Sequence, residues 1–96
     1  MHQKGLFKGV SREEIRRAME KDGLRPIVVF DEPNFIYEPH QHATSNHLVC
    51  LEGSMHLTVG KEAVDFQPGD KLIIPKHTVH FGKVGDKGCR YFYAEK

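Results

Sequence analysis

The chain has 96 residues, of which 39% are hydrophobic and 28% charged, with a formal net charge of +1. That suffices for one domain with a single core, and the composition is ordinary for a globular protein. Lysine and arginine are scattered, no apolar run approaches bilayer length and no apolar N-terminal run marks a signal peptide; the expectations are therefore no nucleic-acid partner, no membrane partner and a cytoplasmic location.

Residues 1–9 carry Leu6 and Phe7 among polar residues and two glycines, the pattern of a loose arm or short edge strand. Ser11-Arg12-Glu13-Glu14 then reads as a capping box, with Val10 and Ile15 placed for a hydrophobic staple. Ile15, Ala18 and Met19 make one narrow apolar stripe and Gly23 ends the helix, so residues 1–23 are expected to form an arm and a surface helix.

From residue 24 the hydrophobic period changes to two. Short strands are expected over 27–30, 35–37, 47–51, 55–59, 63–66, 72–74, 79–84 and 90–93. The punctuation between them is Asp31-Glu32-Pro33-Asn34, Glu52-Gly53-Ser54, Gly60-Lys61, Pro68-Gly69-Asp70 and Gly85-Asp86-Lys87-Gly88. Many short strands so spaced indicate an all-β sandwich or barrel over 24–96, with Gly60-Lys61 as a two-residue hairpin. Cys50 and Cys89 both fall in strand-like segments, where reduced core thiols are expected in preference to a disulfide framework.

Four of the seven histidines fall in two short stretches, Pro39-His40-Gln41-His42 and Pro75-Lys76-His77-Thr78-Val79-His80. In an extended strand residues i and i+2 point the same way, so His40 and His42 can converge on one point. A third imidazole from a paired strand, for which His80 is the candidate, would complete a nitrogen set suited to a divalent transition metal: Zn, Fe, Ni, Mn or Cu. The plainer alternative for a His-x-His pair is two exposed polar residues. If His40 and His42 face inward and the phase holds, Asn46, Leu48 and Cys50 face inward too, leaving His47, Val49 and Leu51 on an outer face too apolar for solvent, which either the N-terminal helix or a second subunit should cover. His47 is then an outer-face residue, a fourth ligand or a pocket acid/base. His77 is read as a turn residue at the barrel rim, His56 as exposed, and Tyr37, Tyr91 and Tyr93 as walls or phenol donors.

With these residues in place the chain resembles the cupin superfamily of small jelly-roll β-barrels. Pro39-His40-Gln41-His42 through Leu51-Glu52-Gly53 follows the layout of the first cupin motif, and Gly69 through Pro75 followed by His80 follows the second. The departures are specific. Asn34 and His77 stand where the motifs have glycine, Val84 replaces an asparagine, and the usual glutamate ligand falls on Asn46 or His47 according to the direction of counting. The resemblance implies a cupin barrel with one short N-terminal α-helix and His40, His42 and His80 as metal ligands, with Asn46 or His47 as an additional candidate. It also implies a small-molecule ligand or substrate, and pairing of two copies, which cover for Val49 and Leu51 would favour. Three-histidine cupins include iron-dependent dioxygenases acting on thiols or diketones. The functional expectation is a metal-dependent oxygenase, isomerase or lyase on a small molecule; the alternative is a non-catalytic binding or sensor cupin whose metal anchors the ligand.

Overall fold

The structure is a computed structural model that describes residues 1–96. Its elements in order are β1 (His2–Gln3), α1 (Arg12–Lys21), β2 (Ile27–Asp31), β3 (Ile36–His40), β4 (Asn46–Val59), β5 (Glu62–Phe66), β6 (Lys71–Ile74) and β7 (His80–Glu95). Every strand pairing is antiparallel. The hydrogen-bonded order runs β1-β6-β4-β7-β2, with β3 on β7 and β5 on β4 closing the other half of the barrel. The all-β jelly-roll expectation holds.

Two expected turns are corners within long strands. Residues 52–54 do not reverse the chain: β4 continues through them, and β7 continues through residues 85–88. The ladder between the two strands shifts register between Cys50 and Glu52 and again between Gly53 and Met55. Such bulges let one strand serve two sheets, which is how a folded barrel turns its corners. The N-terminal half of β4 pairs with β6 and its C-terminal half with β5, while β7 meets β3 first and β2 later. Glycine and acidic residues signalled the bend correctly, but only the facing strand shows that the ladder carries on. Gly53 is fixed by this crossing, with φ +75° and an added Cβ that would sit 1.9 Å from the Gly88 carbonyl oxygen.

The barrel interior is filled by Leu48, Met55, Leu57, Val64, Phe66, Leu72, Val84 and their neighbours, all buried. A second apolar layer lies outside, where Ile15, Met19 and Leu24 cover Val49, Phe92 and Ala94, with Phe7 and Leu51 at its margin. Cover for the outer face of β4 therefore comes from α1 within the same chain, which removes Val49 and Leu51 as the reason for a second subunit. The helix begins as its sequence demands. Ser11 is the N-cap, the Glu14 N–H donates to Ser11 Oγ at 3.2 Å, and Ser11 Oγ–H donates to Glu14 Oε1 at 3.3 Å. Gly23 leaves it at φ +80°. The arm is a strand rather than loose chain: His2 and Gln3 pair with Leu72 and Lys71, and buried Asp70 accepts from His2 Nε2 and from the N–H groups of Gly5 and Gln67.

Candidate metal centre

The three imidazoles singled out by spacing come together at one end of the barrel. His40 is the last residue of β3 and lies directly opposite His80, the first residue of β7. His42 lies two residues beyond the strand rather than in it; its carbonyl accepts the His77 N–H at 2.8 Å, tying the two loops together. Ring centroids are 4.1 Å apart for His40 and His80, 5.0 Å for His40 and His42 and 5.2 Å for His42 and His80. One ring nitrogen from each lies within 4.8 Å of the others.

Two of these rings are held in the tautomer that coordination needs. His40 Nδ1 is 2.6 Å from the Glu38 carbonyl, and His80 Nδ1 is 3.0 Å from the Thr78 carbonyl. A carbonyl only accepts, so both Nδ1 atoms carry the hydrogen and both Nε2 atoms keep their lone pairs, the arrangement that orients metal-binding histidines. His80 is buried, and that burial, with the neighbouring His40 and His42, lowers its pKa against the opposing pull of the Thr78 carbonyl. It is therefore neutral at pH 7, as a ligand must be. The donor set, three imidazole nitrogens, fits a borderline transition-metal dication.

Behind the imidazoles lies a cavity of 170 Å³. Leu48, Met55, Leu57 and Ile74 form its apolar wall, Tyr37, Tyr91 and Tyr93 add phenols, and Asn46 enters from the start of β4. Asn46 is 2% exposed and its Nδ2 has no protein partner. His47 points the other way, out of the cavity, toward Lys71, Lys96 and Asp22; burial and the two lysines lower its pKa. Of the two additional candidates, the cavity thus receives Asn46. His77 is exposed at φ +61° and His56 is exposed, 3.5 Å from Asp65; neither lines the cavity. Cys50 does not line it either: its Sγ sits 3.8 Å from that of Cys89, both thiols are free and buried, and the bond from Cys50 and burial push the Cys89 thiol up.

Asp31 is the polar residue that sequence reasoning missed. Its sequence context, Asp31-Glu32-Pro33-Asn34, is that of a turn, yet it ends β2, and its Oδ2 accepts the hydroxyls of Tyr37 at 2.7 Å and Tyr91 at 2.8 Å. Alternation along Ile27, Val29 and Asp31 could have revealed it, since Val29 packs on the interior. Burial, reinforced by the Asp31 bond, raises Tyr37 to about 12 and raises Tyr91 also. Both phenols keep their hydrogens at neutral pH and commit them to Asp31.

Comparison with known proteins agrees with this architecture. Among solved structures, KdgF from Halomonas sp. superposes with a TM-score of 0.65 at 20% identity, covering 76% of this chain and 69% of that one. Oxalate decarboxylase from Bacillus subtilis gives 0.67 at 20% identity over 76% of this chain, and the ribosomal oxygenase YcfD from Escherichia coli, with cobalt and succinic acid, gives 0.71 at 18% over 86%. This chain spans only 21% and 27% of those two larger proteins. No curated protein sequence matches significantly. The family model described as "Cupin domain" matches residues 27–94, the whole barrel from β2 into β7, and the chain belongs to the cupin family.

Proposed function

We propose that His40, His42 and His80 bind one divalent transition metal and that the protein uses it to act on a small molecule held in the adjoining cavity. The observation that carries this reading is the convergence of one ring nitrogen from each of the three histidines within 4.8 Å, with Nδ1 of His40 and of His80 committed to backbone carbonyls and Nε2 left free. The cobalt and succinic acid in YcfD support it as an analogy of site type. A bound dication would supply Lewis-acid polarisation of a ligand oxygen and a lowered pKa for a coordinated water. The chain's own residues do the rest: the carbonyls of Glu38 and Thr78 fix the ligand rings, and the aliphatic wall and the phenols line the cavity beside them.

The lining favours one side of the functional choice. No carboxylate lines the cavity, and its phenols titrate far above neutral pH. Isomerase or lyase chemistry through a side-chain general base therefore has poor support, and oxygenase-type chemistry or simple ligand binding has better. The same lack of a general base supports the second reading, a binding cupin in which the metal anchors the ligand.

Elemental analysis of untagged protein is the test. One equivalent of metal is expected in the wild type, with most of it lost in His40→Ala and His80→Ala. Metal content unaffected by both substitutions would overturn the site. With metal present, oxygen uptake in the presence of small thiols or diketones separates the catalytic reading from the binding one.

A further inference from the structure

Each hydrogen-bond donor facing the cavity can be accounted for. Tyr37 and Tyr91 give their hydrogens to Asp31, and Tyr93 gives its own to Glu95 Oε1 at 3.2 Å. His40 and His80 spend Nδ1–H on backbone carbonyls. Apart from His42, that leaves Asn46 as the lining residue with uncommitted N–H groups. Its backbone is fixed from both sides, opposite Ile74 on β6 and Glu95 on β7, so the side chain cannot retreat to solvent by a shift of the strand. Leaving a buried amide donor without a partner costs stability. Asn46 carries that cost on a residue that lines the cavity, where a bound ligand can meet it.

We propose that Asn46 is a ligand-positioning residue, donating from Nδ2 to an oxygen of a compact oxyanion, a carboxylate or enolate, bound at the three-histidine centre. The inference rests on the metal-binding reading above and adds the ligand class to it. Charge points to an anion: three neutral imidazoles leave the charge of a dication uncompensated within the ligand set, and the nearby Asp31 carboxylate is separated from the cavity by the two phenols that donate to it. Size limits the rest of the molecule. An apolar cavity of about 150 Å³ accommodates benzene, so 170 Å³ holds one ring or a short chain against the wall. The aliphatic wall takes the carbon part while the Tyr37 and Tyr91 oxygens, their hydrogens already given to Asp31, offer lone pairs only. The anionic end is therefore directed to Asn46 and the metal, away from the phenols.

Cobalt-loaded protein gives a direct test, with acetate as the oxyanion probe and pyridine as a ligand that binds the metal but has no second acceptor. Spectral titration of wild type and Asn46→Leu is expected to show equal cobalt content and unchanged pyridine affinity. Acetate binding should weaken about tenfold or more, the effect of losing one hydrogen bond to a charged group. In metal-free protein Asn46→Leu should raise the melting temperature by several degrees, because an orphaned amide has been replaced by an apolar group of similar size; a merely structural asparagine would lower it. Asn46→Ser serves if the leucine variant folds poorly, and should weaken acetate in the same way. Equal acetate affinity in wild type and variants, or equal weakening of acetate and pyridine, overturns the proposal while the metal site stands. Loss of cobalt from Asn46→Leu overturns it by making Asn46 a ligand. A wild type that takes up no cobalt removes the metal reading and this inference together.

Discussion

At the residue scale, two side chains hold backbone conformations better suited to glycine. Asn34 lies at φ +64° and His77 at φ +61°. Asparagine enters this left-handed region at little cost, whereas histidine pays more of the Cβ penalty. His77 is exposed and its side chain binds nothing in the cavity, so His77→Gly should stabilise the protein by about 1 kcal/mol without altering metal content. Urea denaturation compared with elemental analysis checks both halves. Asp31 matters in the opposite sense. Asp31→Ala leaves the Tyr37 and Tyr91 hydroxyls without their acceptor, a loss of about 2–4 kcal/mol for two hydrogen bonds to one carboxylate. With that acceptor and its charge gone, the Tyr37 titration should move down from about 12, while burial still keeps it above an ordinary tyrosine. Phenolate absorbance against pH reads this shift.

At the element scale, α1 acts as the lid of a second core rather than as decoration. Ile15 and Met19 are almost fully buried against Val49, Phe92 and Ala94. Met19→Ala should cost about 2–5 kcal/mol, the usual range for a buried methionine, and should expose the outer face of β4 and β7 to association. Arg16 lies with its guanidinium 5.0 Å from the Phe92 ring centroid and adds to the seal. The crossing of β4 and β7 is the other vulnerable element. Gly53→Ala combines positive φ with a Cβ against the Gly88 carbonyl, so a loss above about 3 kcal/mol, or failure to accumulate folded protein, is expected. A folded Gly53→Ala of wild-type stability would contradict the crossing geometry.

At the scale of the molecule, protons and a second copy bear on stability. Burial opposes ionisation of Asp70, but His2 and the N–H groups of Gly5 and Gln67 outweigh it and hold the carboxyl below its usual value. A depressed carboxyl contributes stability above its unfolded value of about 3.9, and loses it as pH falls through the lower folded value. His47 and His80 are also depressed, so the unfolded chain binds their protons first and stability declines as pH drops below about 6.5. Metal-free protein should thus melt at a steady temperature around neutrality, fall gradually through the imidazole range and steeply below the carboxylate range. Metal-loaded protein should fall more sharply through the imidazole range, because protons also displace the ion. As for association, α1 already covers Val49, yet Ile27, Phe30, Phe35, Ile36 and Phe81 are exposed along β2, β3 and the start of β7. β2 is also an edge strand. We propose that the exposed face around Ile36 and Phe81, where β3 pairs with the start of β7, rather than the outer face of β4, pairs two copies. Light scattering should then give twice 11.0 kDa, reduced to the single mass by Ile36→Lys; a wild type of 11.0 kDa would exclude it.

The sequence by itself determined the barrel, the capped helix and the three histidines, because each rests on local rules. Alternation marks strands, Ser11 and Glu14 mark a helix start, and His40 and His42 carry their spacing with them. Alternation also assigned Asn46 and His47 to opposite faces before any fold was in view. Tertiary structure decided the features that depend on what lies opposite. Whether Gly53 and Gly88 reverse the chain or bend it is fixed by the facing strand, since a bulge and a turn share the same residues. Whether the outer face of Val49 meets a helix or another subunit is fixed by where α1 docks. The carboxylate of Asp31 acquires its phenols from two other strands, 6 and 60 residues away in sequence; alternation can turn Asp31 inward, but only strand pairing brings Tyr37 and Tyr91 to it.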